Sequence, residues 1–115
     1  MERKTSIGYA DFSRLDLRVG TVKRAEPFPE ARRPAIKLWI WFGDRVGELK
    51  TSAQITDRYM PEQLIGRQVI AVVNFPPKQI GPFMSECLVL GVMDGSGTVT
   101  LLQPDSAVAD GLPIA

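Results

Sequence analysis

Lys37, Trp39 and Trp41 alternate with Ile36, Leu38, Ile40 and Phe42 along one short stretch of the chain. A period of two places the lysine and both indoles on one face of a strand and the aliphatic residues on the other. Rings interleaved with cations can stack nucleic-acid bases, and they can equally hold apolar side chains of an unfolded peptide. The same spacing also suits a second core or a dimer interface, because neighbouring tryptophans seldom remain in water. Lys50, Ser52 and Gln54 occupy the outward positions of the next alternating stretch, and Arg32 and Arg33 lie in the loop just before the first. A second candidate surface is the segment 74–86, where Phe75, Ile80, Phe83 and Met84 are apolar and prolines argue against a strand. Methionine adapts to varied partners, which suits a promiscuous surface. Asn74, Lys78, Gln79, Ser85 and Glu86 supply polar groups in the same segment. The competing reading is a loop that folds these apolar residues onto the core.

Catalytic chemistry has little to build on. The chain has no histidine, which removes the commonest general base and the commonest metal ligand. With one cysteine and no histidine, a thiolate–imidazole zinc site cannot form within one chain. No glycine loop of the phosphate-cradling or dinucleotide type is present, and the carboxylates show no catalytic pairing. Cys87 lies in an apolar stretch beside Glu86; burial and a neighbouring negative charge both raise a thiol pKa, so it is expected to be an inert core residue. The expectation is a binding protein without catalytic residue, metal or cofactor.

At 115 residues, 44% hydrophobic and 23% charged, the chain fits one globular domain. A domain of this size is marginally stable alone, and burying more apolar surface in a homodimer would help it. The net charge of +1 is unevenly spread. Residues 1–50 carry 11 Lys and Arg against 7 Asp and Glu, a balance of +4, whereas residues 51–115 carry 3 against 6, a balance of −3. A polyanion would therefore meet the N-terminal half. Bulk charge is too low for strong non-specific nucleic-acid binding. No apolar run reaches a membrane span, no signal peptide is legible at the start, and a single cysteine forms no internal disulfide; a cytoplasmic location is expected.

These side chains must be positioned by short strands. Residues 1–8 are expected to be a loose tail and 9–17 to hold a helical turn, with Asp11 as a possible N-cap. Strands are expected over about 17–25, 36–42, 48–55, 68–75, 85–92 and 98–102. The first should carry a bulge at Gly20, where the alternation slips from Val19 to Val22. A short helix is expected to start near Pro61, and 103–115 to pack irregularly. Five or six short strands with one helix between the third and fourth give the layout of the five-stranded oligonucleotide/oligosaccharide-binding (OB-fold) barrel, strand-strand-strand-helix-strand-strand, an all-β architecture, here with N- and C-terminal extensions.

The stretches Asp16-Leu17-Arg18-Val19-Gly20-Thr21-Val22, Ala31-Arg32-Arg33-Pro34-Ala35-Ile36-Lys37-Leu38 and Thr51-Ser52-Ala53-Gln54-Ile55-Thr56 resemble the CsaA family throughout. The most specific match is Asn74-Phe75-Pro76-Pro77-Lys78-Gln79-Ile80-Gly81-Pro82-Phe83-Met84-Ser85-Glu86-Cys87-Leu88-Val89-Leu90-Gly91. The resemblance runs in uninterrupted order from about residue 9 to 110. It implies a homodimeric barrel of the tRNA-binding-domain type that assists protein export by holding unfolded preproteins, with relatives that bind tRNA by shape. The ligand-facing positions it implies are Lys37, Trp39, Ser52, Gln54, Asn74, Lys78, Met84, Ser85 and Glu86. Trp41 stands where the family favours an acid, which makes the patch more apolar and leans toward peptide.

Two readings follow. In the first, a chaperone dimer with paired apolar grooves binds extended basic or apolar segments of unfolded chains without ATP, through Trp39, Trp41, Phe83 and Met84 rimmed by cations. In the second, a module grips the tRNA backbone through Arg32, Arg33, Lys37, Lys50 and Lys78, with binding that falls steeply as salt rises. A weaker third is an assembly factor for one folded protein partner.

Overall fold

A computed structural model describes residues 2–115. Helix α1 (Tyr9–Ser13) is a single turn: Gly8 is its N-cap, and the Asp11 carboxylate, three residues on, accepts the Gly8 backbone N–H at 3.1 Å. Asp11 thus closes the first turn from within instead of preceding it. Strand β1 (Leu17–Pro27) follows, then β2 (Ile36–Trp41) and β3 (Glu48–Ala53). In β2 the alternation reads directly as burial, with Ile36, Leu38 and Ile40 sealed and Lys37, Trp39 and Trp41 half-exposed. Helix α2 (Pro61–Leu64) opens on its proline, where no N–H is needed, and buries Leu64 completely. Strand β4 (Gln68–Val72) returns beside β1, and β7 (Leu88–Val89) adds to its far side.

The order β3-β2-β1-β4-β7 is an antiparallel, nearly closed five-stranded barrel of the OB-fold type, with the short helix between β3 and β4 as expected. Its interior is filled by Val22, Ile36, Leu38, Ile40, Phe42, Leu64 and Val69, with Ile55, Ala71, Cys87 and Leu101 around them. Among the described residues the one buried polar side chain, Thr51, bonds the Cys87 carbonyl and the Ser85 hydroxyl, each at 2.7 Å, so its burial leaves nothing unpaired.

β1 serves two neighbours in sequence. Leu17 to Thr21 pairs with β4, and Thr21 to Pro27 with β2. The register shift lies between Val22 and Arg24, not at Gly20, which pairs regularly with Val69. Glycine is required at position 20 for another reason: a Cβ there would stand 2.6 Å from Phe42 Cδ1 and 2.7 Å from Ile40 Cγ2. The apparent slip in alternation records that Leu17 and Val19 are buried on one face of the strand and Val22 on the other. Before β2 arrives, the free edge of β1 is covered by residues 111–114. Val19 N–H bonds Leu112 carbonyl at 3.0 Å, Gly111 N–H bonds Val19 carbonyl at 2.7 Å, and Ile114 N–H bonds Leu17 carbonyl at 2.9 Å.

Three further expectations are corrected. The segment 74–86 contains a hairpin, β5 (Lys78–Ile80) against β6 (Phe83–Ser85), turning at Gly81 with φ of 56°. Its prolines stand before the first strand and in the turn, where they interrupt no pairing. The strand expected over 85–92 divides into β7 and β8 (Gly91–Met93), the latter pairing only with β9 (Val99–Leu101). Leu90 sits at the switch, donating to Ile70 carbonyl at 2.9 Å and accepting from Leu102 N–H at 3.2 Å. Strand β4 also stops short, at Val72, because the next residues turn to tie the chain at Asp16: Val73 N–H reaches its carbonyl at 2.9 Å.

Candidate ligand-binding face

The outward face of β2 and β3 is roofed by the β5–β6 hairpin. Phe83, from β6, packs with Phe28 and Ala35 into a second small cluster, flanked by Trp39, Ala31 and Ile80. Ring centroids are 5.5 Å apart for Phe28–Phe83 and 5.9 Å for Trp39–Phe83, the latter edge to face at 83°. Cations surround it. The Arg24 guanidinium lies 4.2 Å over Trp39 and is paired with Glu26. Lys37 Nζ stands 4.9 Å from the Phe28 ring and 5.4 Å from Phe83, and Lys50 Nζ is 5.1 Å from Phe83. Among the described residues neither lysine has a carboxylate partner within ion-pair distance. Both charges therefore rest against ring faces, at an attraction of roughly 0.5–1 kcal/mol each where exposed.

The second-core arrangement is thus the one adopted for Trp39. Phe83 is buried and closed to a base, while half-buried Trp39 has the Arg24 guanidinium over its ring and stands perpendicular to Phe83. Trp41 is half-buried opposite Glu48, and Met84 stays exposed on the outer side of the hairpin.

Beside this cluster runs an open cleft of about 1080 Å³. It follows the outer edge of β3 and is bounded by the loop carrying Arg32 and Arg33, by the hairpin, and by residues 87–93. Its apolar lining is aliphatic throughout: Ala31, Ala35, Ala53, Ile55, Ile80, Leu88, Val89, Leu90, Met93 and Val99, with no aromatic ring. Glu30, Arg32, Arg33 and Lys78 supply its charges, and Ser52, Gln54, Gln79 and Ser85 its uncharged polar groups. Cys87 lies in the wall. Burial, and then the Glu86 charge beside it, push its thiol up to about 12 against the modest pull of a hydrogen bond from Thr51. The thiol stays protonated near neutral pH and has no nucleophilic role there.

The residues singled out from sequence therefore divide. Arg32, Arg33, Ser52, Gln54, Lys78 and Ser85 converge on the cleft. Lys37, Trp39, Lys50 and Phe83 form the roofed cluster next to it. Asn74 belongs to neither: its side chain accepts Asp16 N–H at 2.9 Å and donates to Arg14 carbonyl at 2.8 Å, tying α1 to β4. Glu86 is also engaged, its carboxylate taking Lys50 N–H at 3.0 Å while its own N–H bonds the Lys50 carbonyl at 2.7 Å. Arg24, Phe28 and the aliphatic lining from 88 to 93 were not singled out. Only the bulge register, which brings Arg24 opposite Trp39, reveals the first of them.

The model of the putative tRNA binding domain family matches residues 17–113. The chain is 53% identical to the chaperone CsaA of Bacillus anthracis, with 96% of this chain and all of that one aligned at a TM-score of 0.92. It is likewise 53% identical to the CsaA chaperone protein of Picrophilus torridus, over 96% of this chain and all of that one, at a TM-score of 0.89. It is 34% identical to the methionine–tRNA ligase of Porphyromonas gingivalis over 91% of its own length, and spans only 15% of that protein.

Proposed function

Since the chain belongs to the putative tRNA binding domain family, as a CsaA-like member, we propose that it is a molecular chaperone that holds unfolded segments of exported preproteins. It acts as a single domain, 1–115, paired in a homodimer, in the cytoplasm and without ATP or any other cofactor. One observation carries this choice over RNA. The cleft that collects Arg32, Arg33, Ser52, Gln54, Lys78 and Ser85 has an aliphatic lining and no ring on which a base could stack. Aliphatic walls suit valine, leucine and methionine side chains of an unfolded chain. The cationic rim orients the segment and speeds its encounter. Similarity to methionine–tRNA ligases and the two unpaired lysines on Phe83 favour tRNA as the second reading.

Fluorescence anisotropy with labelled total tRNA and a labelled unfolded peptide, each at low and high salt, separates the two. The chaperone reading expects peptide to bind across the salt range and tRNA to be ignored. Tight tRNA binding at low salt, lost at high salt with a log–log slope of roughly −0.7 to −0.9 per phosphate contacted, together with no peptide binding, would overturn it.

A further inference from the structure

We infer that the cleft takes its peptide by strand addition: the ligand's main chain pairs with the outer edge of β3 at Ser52 and with Gln54 just beyond the strand's end. This rests on the chaperone reading and specifies how that site recognises a chain of no fixed sequence.

The argument begins with the direction of β3's own polar groups. Lys50 N–H and carbonyl both turn away from β2, since Glu86 takes both, the N–H with its carboxylate and the carbonyl with its backbone N–H. In an antiparallel ladder, main-chain groups two residues apart point the same way. Ser52, opposite Lys37 in the same register, therefore also directs its N–H and carbonyl away from β2, into the cleft. The contact at Lys50 shows what belongs there. The chain leaving the hairpin makes one strand-like exchange at Glu86 and then departs toward β7, leaving the rest of the edge without a strand. Beyond a 3.4 Å approach of the Thr51 hydroxyl to the Ser52 carbonyl, neither Ser52 nor Gln54 has a main-chain partner on this side.

An exposed edge is normally blunted by charge, proline or a covering element. Here it lies at the bottom of a cleft with aliphatic walls, a shape that admits one extended chain. Strand addition supplies affinity through main-chain hydrogen bonds and leaves side chains free to vary, as a holder of many preproteins requires. Arg32, Arg33 and Lys78 against Glu30 leave the rim cationic, favouring segments with an acidic side chain. The same charges oppose a second copy, whose β3 edge would bring its own Lys50 with Lys37 of β2 beside it. RNA finds the charges but no ring in the lining of the cleft itself, Phe75 lying in the adjoining hollow.

The test uses a fluorescein-labelled nonapeptide alternating valine with threonine and ending in two aspartates, together with a set of derivatives N-methylated at one position each. Strand addition expects affinity to fall roughly tenfold on methylation at every second residue and little at those between. Binding of every derivative with no such alternation overturns strand addition while leaving the chaperone reading intact. Failure of the unmethylated peptide to bind overturns both. Ser52→Pro checks the protein side. It removes an N–H that β2 does not use, so the fold should stand and peptide affinity should drop roughly tenfold. A folded Ser52→Pro protein with unchanged peptide affinity, or one that loses self-association instead, overturns the assignment of this edge to a foreign chain.

Discussion

Replacing Phe83 by alanine should open the hairpin before it disturbs the barrel. The Phe83 ring is 7% exposed and touches Phe28 and Trp39 at 5.5 and 5.9 Å. A phenylalanine buries about 150–250 Å², which at roughly 25 cal/mol per Å² is worth about 4–6 kcal/mol. Compactness of the unfolded chain trims this to about 3–4 kcal/mol, and the two ring contacts add about 1 kcal/mol between them. The fully buried part of this cluster is only Phe28, Ala35 and Phe83, and β5 and β6 pair with nothing but each other. A loss of about 4 kcal/mol therefore exceeds what so small a unit can absorb. The native state of the variant should keep the five-stranded sheet and release residues 78–85. Two measurements follow it: native-state hydrogen exchange at the hairpin amides, expected to lose most of its protection, and urea unfolding by tryptophan fluorescence, expected to show a smaller fall in stability and a red-shifted native spectrum as Trp39 loses its cover. Met84→Ala, at an exposed neighbour, should change stability by less than about 0.5 kcal/mol. Intact hairpin protection in the Phe83 variant with stability within about 1 kcal/mol of the parent would refute the reasoning.

Gly20→Ala should cost about 2 kcal/mol, because the added methyl meets Phe42 and Ile40 in the sealed core. Thermal melting should show a fall of roughly 10 °C, and an unchanged melt would remove the close-approach argument. Cys87 should react with a disulfide reagent at pH 8 at least about 30-fold more slowly in the folded than in the unfolded chain, because a thiol raised from 9.0 to about 12 loses far more thiolate than its greater nucleophilicity restores, and burial limits access besides. Rapid native labelling would contradict its burial. Asp94 accepts from the Ser96 hydroxyl and N–H and from Thr98 N–H, which hold its carboxyl below the usual range. A depressed folded pKa contributes stability above the unfolded value and loses it as pH falls through the folded one. The protection factors of the Ser96 and Thr98 amides, taken against intrinsic exchange at each pH, should therefore fall below about pH 4 in the parent and show no such step in Asp94→Ala.

The alternation from Ile36 to Trp41 was legible because burial in one strand follows a period of two, and that strand is paired along its length on both sides, by β1 and β3. The helix at Pro61 announced itself through its proline. What stayed hidden depended on register between distant segments. Nothing local says that the Asn74 side chain closes onto Asp16 and Arg14, nearly sixty residues away, so a polar residue in a resembling motif read as a ligand contact. The Glu86 carboxylate likewise meets a distant partner, the Lys50 backbone N–H, that no local pattern announces. The hairpin at 78–85 was missed because proline content was weighed without proline position. Ser52 and Gln54 were legible as outward-facing, whereas the open edge beneath them is a property of the sheet's order.

The three hydrogen bonds from residues 111–114 to Leu17 and Val19 join the start of the barrel to the last segment of the chain. On a ribosome, β1 emerges early but waits for roughly ninety further residues before that half of its edge is sealed. Contacts of such long sequence separation slow folding and leave an unpaired edge exposed in the meantime. A protein proposed to hold unfinished chains must therefore pass through an unfinished state of its own, with β1 open as β3 remains in the finished barrel. An excess of free finished protein could then slow the maturation of its own newly made copies, which would make its folding yield in refolding experiments fall when native protein is added.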